Sequence, residues 1–284
     1  MIKILVTGAS GQLGLCLRNK ATEAPNFQFV FLDSAALDIT DTNSVAVAFN
    51  SSKFHYCINC AAYTAVDNAE DQQDLALAIN TLGVKNLATA CKTHNTILIH
   101  ISTDFVFNGE QNRPYLENDT TSPLGVYGET KLKGEQEISN ILEKYFIIRT
   151  SWLYSEHKNN FVKTMLRLAQ EKEELGVVND QKGTPTNAND LAMAILTIIK
   201  SNSNAFGLYH YSNLGETTWY GFAKCIFNIT NTSITLNAIN SSAFKSKAKR
   251  PAYSVMDKSK IASTFNLQIL DWKESLKQHL NSIG

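Results

Sequence analysis

The chain has 284 residues, 44% of them hydrophobic, and its 26 basic and 26 acidic side chains leave a formal net charge of zero. That length can bury a substantial core, in one large domain or two moderate ones. Balanced charge, with one short basic run from Lys245 to Arg250, gives no electrostatic support to a nucleic-acid or membrane-surface role. No apolar stretch reaches bilayer length and no signal-peptide pattern precedes the first strand, so the cytoplasm is the expected location.

Ile2-Lys3-Ile4-Leu5-Val6 reads as a short buried strand that runs straight into Thr7-Gly8-Ala9-Ser10-Gly11-Gln12-Leu13-Gly14. Strand, glycines and helix in this order form a dinucleotide-binding fingerprint. Gly8 permits the tight turn, Gly11 lets the backbone approach a pyrophosphate, and Gly14 lets the helix pack close to the sheet. The helix N-terminus offers unpaired N–H groups and a positive dipole end to the phosphates. A second strand, Gln28 to Leu32, ends at Asp33. That is about 20 residues past the glycines, where an acid on the adenosine ribose is expected.

Thr42 to Ser51 reads as a helix capped by Asp41. A strand over 56–61 follows, then a long helix from Asp71 to His94, then the strand Ile97 to Thr103. Phe107 to Ser122 is a polar, turn-rich loop. Ser122-Pro123 reads as an N-cap with proline at the first helical position, opening the helix that carries Tyr127 and Lys131. Gly125, Gly128 and Gly134 each cost that helix about 1 kcal/mol relative to Ala, a cost that close approach of cofactor or sheet would explain. Tyr145 to Thr150 and Phe206 to Ser212 are further strands. The alternation has the pace of a parallel α/β architecture, and there is no internal repeat.

Five scattered cysteines do not make a disulfide framework. Cys57 and Cys60 share a strand, where a separation of three puts their thiols on opposite faces, and no second pair completes a zinc site. His100, in its apolar strand, reads as a satisfied core residue. No metal site is expected.

The chemistry is concentrated in Ser102-Thr103-Asp104 and Tyr127-Gly128-Glu129-Thr130-Lys131. A Tyr and a Lys four residues apart lie on one helix face. An ammonium beside the phenol pulls its pKa down from about 10, towards proton exchange at neutral pH. Thr103, at a strand end, can hydrogen-bond the same substrate oxygen. The set points to carbonyl reduction.

These pieces resemble the extended short-chain dehydrogenase/reductases and, within them, the dTDP-4-dehydrorhamnose reductase family. The resemblance runs over nearly the whole chain through Asn59-Cys60-Ala61-Ala62-Tyr63-Thr64-Ala65-Val66-Asp67, Ser102 to Phe107, Tyr127 to Glu135, Arg149 to Trp152, Asn159-Asn160-Phe161, Asn179-Asp180-Gln181, Gly183 to Thr186 and Arg250-Pro251. It implies a doubly wound, Rossmann-type parallel sheet over residues 1–151 that binds the dinucleotide, with 186–213 returning to it. A smaller substrate-binding region over 152–185 and 214–284 would close on a nucleotide sugar. It implies NADPH or NADH contacts from Gly8, Ser10, Gly11, Gln12, Leu13, Gly14, Asp33, Asp38, Ile39, Ala61, Ala62, Tyr63, Tyr127 and Lys131. Substrate contacts would come from Thr103, Asp104, Phe105, Trp152, Asn160, Arg167 and Arg250. The implied reaction is hydride delivery to C4 of dTDP-4-dehydro-β-L-rhamnose, with Thr103, Tyr127 and Lys131 as the catalytic set and dTDP-L-rhamnose as product.

Phe105 stands where the related dehydratases place a glutamate base, so elimination is not expected. Asp33 favours NADH and Arg18 can offset its repulsion of a 2′-phosphate, so both cofactors should work. The resemblance also implies a monomer or a homodimer. Some relatives join through magnesium at interface glutamates, but two of those positions are Cys16 and Asn189 here, which do not suit a hard cation. Two alternatives stay open: a reductase of a related 4-keto-6-deoxy nucleotide sugar, and a catalytically silent dinucleotide-binding subunit like the regulatory subunit of methionine adenosyltransferases.

Overall fold

Short apolar runs with unpaired backbone groups have to find partners before they can be buried. In the computed structural model, which describes residues 1–283, six of them pair into one sheet. The strands are β1 (Ile2–Thr7), β2 (Phe27–Phe31), β3 (Tyr56–Asn59), β4 (Ile97–Thr103), β5 (Tyr145–Thr150) and β6 (Gly207–His210). Their spatial order is β6-β5-β4-β3-β1-β2, and every neighbouring pair is parallel. The winding reverses between β2 and β3, on either side of β1, which is where open parallel sheets leave a crevice for a ligand.

The principal helices are α1 (Gln12–Ala21), α2 (Thr42–Asn50), α3 (Gly83–Thr93), α4 (Val126–Ile141), α5 (Phe161–Glu171), α6 (Ala188–Ser201), α7 (Trp219–Ile229) and α8 (Trp272–Ile283). Alternation along each strand buries both faces of the sheet. Leu5, Cys57, Leu98 and Ile147 face α2, α3 and α4, while Ile4, Val6, Ile58, Ile99 and Ile148 face α1 and α6. Cys57 and Cys60 therefore point to opposite faces, and all five cysteines are free. A separate apolar cluster, including Tyr154, Val162, Val177, Phe222 and Trp272, holds α5, α7 and α8 around a two-stranded parallel pair, Glu174–Val178 with Thr235–Ile239. The span 214–284 is shared, because Ile261 and Phe265 pack on the large sheet.

Two expected helices differ. The run from Asp71 to His94 is not continuous: Gln73–Leu77 passes into a π-helical turn, Ala78–Leu82, before α3 begins at Gly83. And α4 starts at Val126, not at Pro123. Ser122 spends its N–H on the carbonyl of Val106, and the first free amide of the helix, Val126 N–H, donates to Glu70 Oε1 at 3.0 Å. The cap comes from another segment. The glycines in α4 are explained by backbone approach, though not by the sheet. A Cβ on Gly128 would stand 2.2 Å from the Phe105 carbonyl oxygen, and one on Gly134 2.2 Å from that of Asn80. The helix is anchored to β5 by Glu135, which accepts from Arg149 Nη2 at 2.6 Å and Nε at 2.9 Å, with the side chains only 7% and 3% exposed.

Candidate active site

Gly8 leaves β1 at φ +61°, and a Cβ there would stand 2.5 Å from the backbone nitrogen of Ala61. The turn needs glycine on both counts. Gly11 caps α1. At the far end of this groove Asp33 Oδ1 accepts from the amides of Ala35 and Ala36, and the Arg18 guanidinium lies 4.7 Å from the centroid of the Phe31 ring. Asp38 Oδ1 accepts from the Thr40 amide and hydroxyl, and Ile39 is buried against Gly83. Tyr63 is clamped by Asn80 of the π turn: its N–H donates to Oδ1 at 2.9 Å, and its carbonyl accepts from Nδ2 at 3.1 Å.

A cavity of about 620 Å³ opens where β4 and β5 end. Gly11, Gln12, Leu13 and Ala62 line its cofactor side. Thr103, Asp104, Phe105, Tyr127 and Lys131 line the sheet side, and Trp152, Asn160, Trp219 and Arg250 face them. Of the expected contacts, Gly8, Ser10, Gly14, Asp33, Asp38, Ile39, Ala61 and Tyr63 lie outside this cavity, Ser10 exposed on the glycine turn.

On the sheet side Thr103 Oγ1 donates to Asp104 Oδ1 at 3.1 Å and accepts from the Phe105 amide. Asp104 is buried and its Oδ2 has no partner, so burial raises its carboxyl to about 6. The phenol of Tyr127 meets the edge of Phe105, with ring centroids 5.6 Å apart. Here an expectation fails: burial pushes Tyr127 up to about 12, partly offset by the Thr103 hydroxyl, and Lys131 does not draw it down. The reason is geometric. Lys131 Nζ donates to the Ile101 carbonyl at 2.6 Å and lies 3.2 Å from His100 Nε2. A high pKa suits a proton donor, because the phenol is fully protonated at neutral pH while an alkoxide is far more basic.

The facing wall is assembled from distant segments. Trp152 stands at φ +47°, a region that a bulky residue enters only under constraint. Its ring stacks on Trp219 with centroids 3.6 Å apart. Asn160 caps α5 and passes Nδ2 to Gln12 Oε1 at 3.0 Å. Arg250 reaches the cavity but pairs with Asp67 at 2.7 Å. Arg167 does not reach it. On the exposed face of α5 it pairs with Glu171, one helical turn on. Sequence reasoning missed Trp219, Asn80 and Asp67 as parts of the site; only the motif around Asp67 carried a signal.

Cys16 and Asn189 do come near one another through Glu156. Ligand atoms of Cys16, Glu156 and His157 lie within 4.8 Å of one another, and Asn189 Nδ2 donates to Glu156 Oε2 at 2.9 Å. A thiol, an imidazole and one carboxylate do not fit magnesium, which demands an octahedron of oxygens. No helix among the described residues is long and apolar enough to cross a membrane.

Residues 2–284 match the family described as the RmlD substrate binding domain. The chain belongs to this family. Among its relatives, the dTDP-4-dehydrorhamnose reductase of Aggregatibacter actinomycetemcomitans is 40% identical over 98% of both chains. A dTDP-4-keto-6-deoxy-D-glucose reductase of Streptomyces niveus is 36% identical over 96% of this chain and 95% of its own. The crystal structure of the Bacillus anthracis dTDP-4-dehydrorhamnose reductase in complex with NADP superposes with a TM-score of 0.95 at 38% identity, covering 99% of this chain and all of that one. Within the RmlD family the residues at the cavity are thus displayed on a fold that, in a close relative, carries NADP.

Proposed function

We propose that this chain is an NAD(P)H-dependent reductase of the C4 ketone of dTDP-4-dehydro-β-L-rhamnose, producing dTDP-L-rhamnose. One observation carries the reading. A protonated phenol, Tyr127, and a hydroxyl, Thr103, share a single cavity with the glycine turn of a dinucleotide site. When bound, the reduced nicotinamide supplies the hydride. The residues do the rest. Thr103 orients the carbonyl oxygen, Tyr127 gives its proton to the oxygen as charge develops there, and Lys131, 1% exposed in the wall beneath, holds the ribose end of the nicotinamide half. Gly11 and the amides that open α1 hold the pyrophosphate. Asp33 accepts from a ribose hydroxyl and Arg18 offers a cation to a 2′-phosphate, so NADH and NADPH both serve. Trp152 and Trp219 form an aromatic wall for the sugar nucleotide, and Arg250 is placed to meet the diphosphate.

Phe105 supplies no base, so the site reduces and does not eliminate. Both substrate and cofactor belong to the cytoplasm, where we place the enzyme. The test is oxidation of NAD(P)H by the purified protein with dTDP-4-dehydrorhamnose. Steady turnover supports the reading, while cofactor binding without oxidation would favour the silent binding subunit. Faster turnover with a different 4-keto-6-deoxy sugar would move the substrate to that of the Streptomyces relative.

A further inference from the structure

His100 is fully buried on β4, directly behind Lys131. Its surroundings fix which ring nitrogen carries the proton. The Ala61 backbone N–H can only donate, and it donates to Asn59 Oδ1 at 3.1 Å; the same oxygen accepts from Thr7 Oγ1 at 2.6 Å. The amide of Asn59 is therefore oriented without choice, and its Nδ2 faces His100 Nδ1 at 3.0 Å. Nδ1 has to accept. Burial holds this imidazole neutral, well below its ordinary pKa, so its one proton sits on Nε2. That N–H points at Lys131 Nζ, 3.2 Å away. An ammonium has no lone pair with which to accept.

We propose that His100 is a positioning residue that holds Lys131 as a neutral amine, accepting from His100 Nε2–H and donating to the Ile101 carbonyl. Protonating Lys131 then requires the Asn59–His100 bond to break. The other charges nearby do not oppose this. Glu135 on the same helix is committed to Arg149 of β5, Cys60 of β3 is a thiol held protonated by burial, and Asp104 lies beyond Tyr127. Burial acts in the same direction, lowering Lys131 to about 8. The arrangement also accounts for the phenol of Tyr127 standing high, with no cation beside it. Only the use of this device in catalysis rests on the reductase reading; the hydrogen-bond geometry does not.

Nitrogen and carbon resonances of the histidine and lysine side chains, followed against pH in the protein without added nucleotide, test the assignment. The expected result is an Nε2–H tautomer at His100 and a Lys131 titration well below the ordinary lysine range. In His100→Gln the amide can turn a carbonyl oxygen towards Nζ, and Lys131 should titrate about one pH unit or more higher. Asn59→Asp keeps the ring but accepts from Nδ1–H, reversing the tautomer, and should shift Lys131 the same way. An Nδ1–H tautomer in the parent overturns the proposal, as does a Lys131 titration at its ordinary value. If the parent protein shows the expected titration yet never oxidises NADPH, the reductase reading falls and the His100 assignment stands.

Discussion

On the sheet side of the cavity Thr103, Tyr127 and Lys131 come from one strand end and the one helix packed beside it, whereas on the facing side Trp152, Asn160, Trp219 and Arg250 come from four separate stretches. Each of these four leans on something remote: Trp152 and Trp219 on each other, Asn160 on Gln12, Arg250 on Asp67. The sheet side is buried, and its polar groups are partnered by backbone or by each other. The facing side is made of rings and ion pairs that are partly exposed. The contrast separates bond-making from recognition. Changes to the first wall should act on the rate of the chemical step, and changes to the second on the hold over substrate.

The largest effect is expected from Tyr127→Phe, which keeps the ring against Phe105 and deletes the acid. NADPH affinity, followed by fluorescence titration, should be unchanged while kcat falls by roughly 10²–10⁴-fold. A near-normal kcat would dissolve the distinction between the walls. Next comes the anchor beneath the chemical wall. Glu135→Ala strands the buried guanidinium of Arg149 and should cost about 3–5 kcal/mol of unfolding free energy, measured by urea denaturation. A loss under about 1 kcal/mol would mean that water reaches this pair and that the wall is softer than its burial implies.

Smaller is the effect of Arg250→Ala on the opposite wall. It should raise KM for the nucleotide sugar by about tenfold with kcat little altered, the worth of one charge-assisted hydrogen bond. An unaltered KM would leave Arg250 as a latch to Asp67 and nothing more. The smallest is no effect at all. Treatment with a chelator should leave turnover as it was, since Cys16, Glu156, His157 and Asn189 do not make a magnesium site; loss of activity that magnesium restores would show that this corner holds a metal after all.

The same contrast governs what could be read from the sequence. The sheet was legible because each strand is a short apolar run closed by glycine, asparagine or a polar stretch, and the glycine turn, Thr103, Tyr127 and Lys131 follow local spacing rules. The π turn at Ala78–Leu82 was not, since its residues keep a helical apolar pattern and only the buried Asn80 and the following Gly83 mark the break. Ser122-Pro123 carried a valid cap signal that a more distant carboxylate, Glu70, overrode. The pKa of Tyr127 was misjudged in direction because four-residue spacing places two side chains on one face without deciding what each will bond. Lys131 found the Ile101 carbonyl and His100 instead. Trp219 lies far along the chain from Trp152, and no local rule could pair them.

The remote cap on α4 also bears on how the protein is assembled. Its first turn, the one that holds Tyr127, gets no capping side chain from its own neighbourhood and takes one from Glu70. With Gly125, Gly128 and Gly134 in its first three turns, a peptide of this stretch would remain mostly coil in water. The helix thus matures only after a loop of many tens of residues has closed, and its order depends on contacts of long sequence separation. The acid of the reaction is set in place late in folding, and until the segment bearing Glu70 docks, a chain with its sheet already formed would be inert.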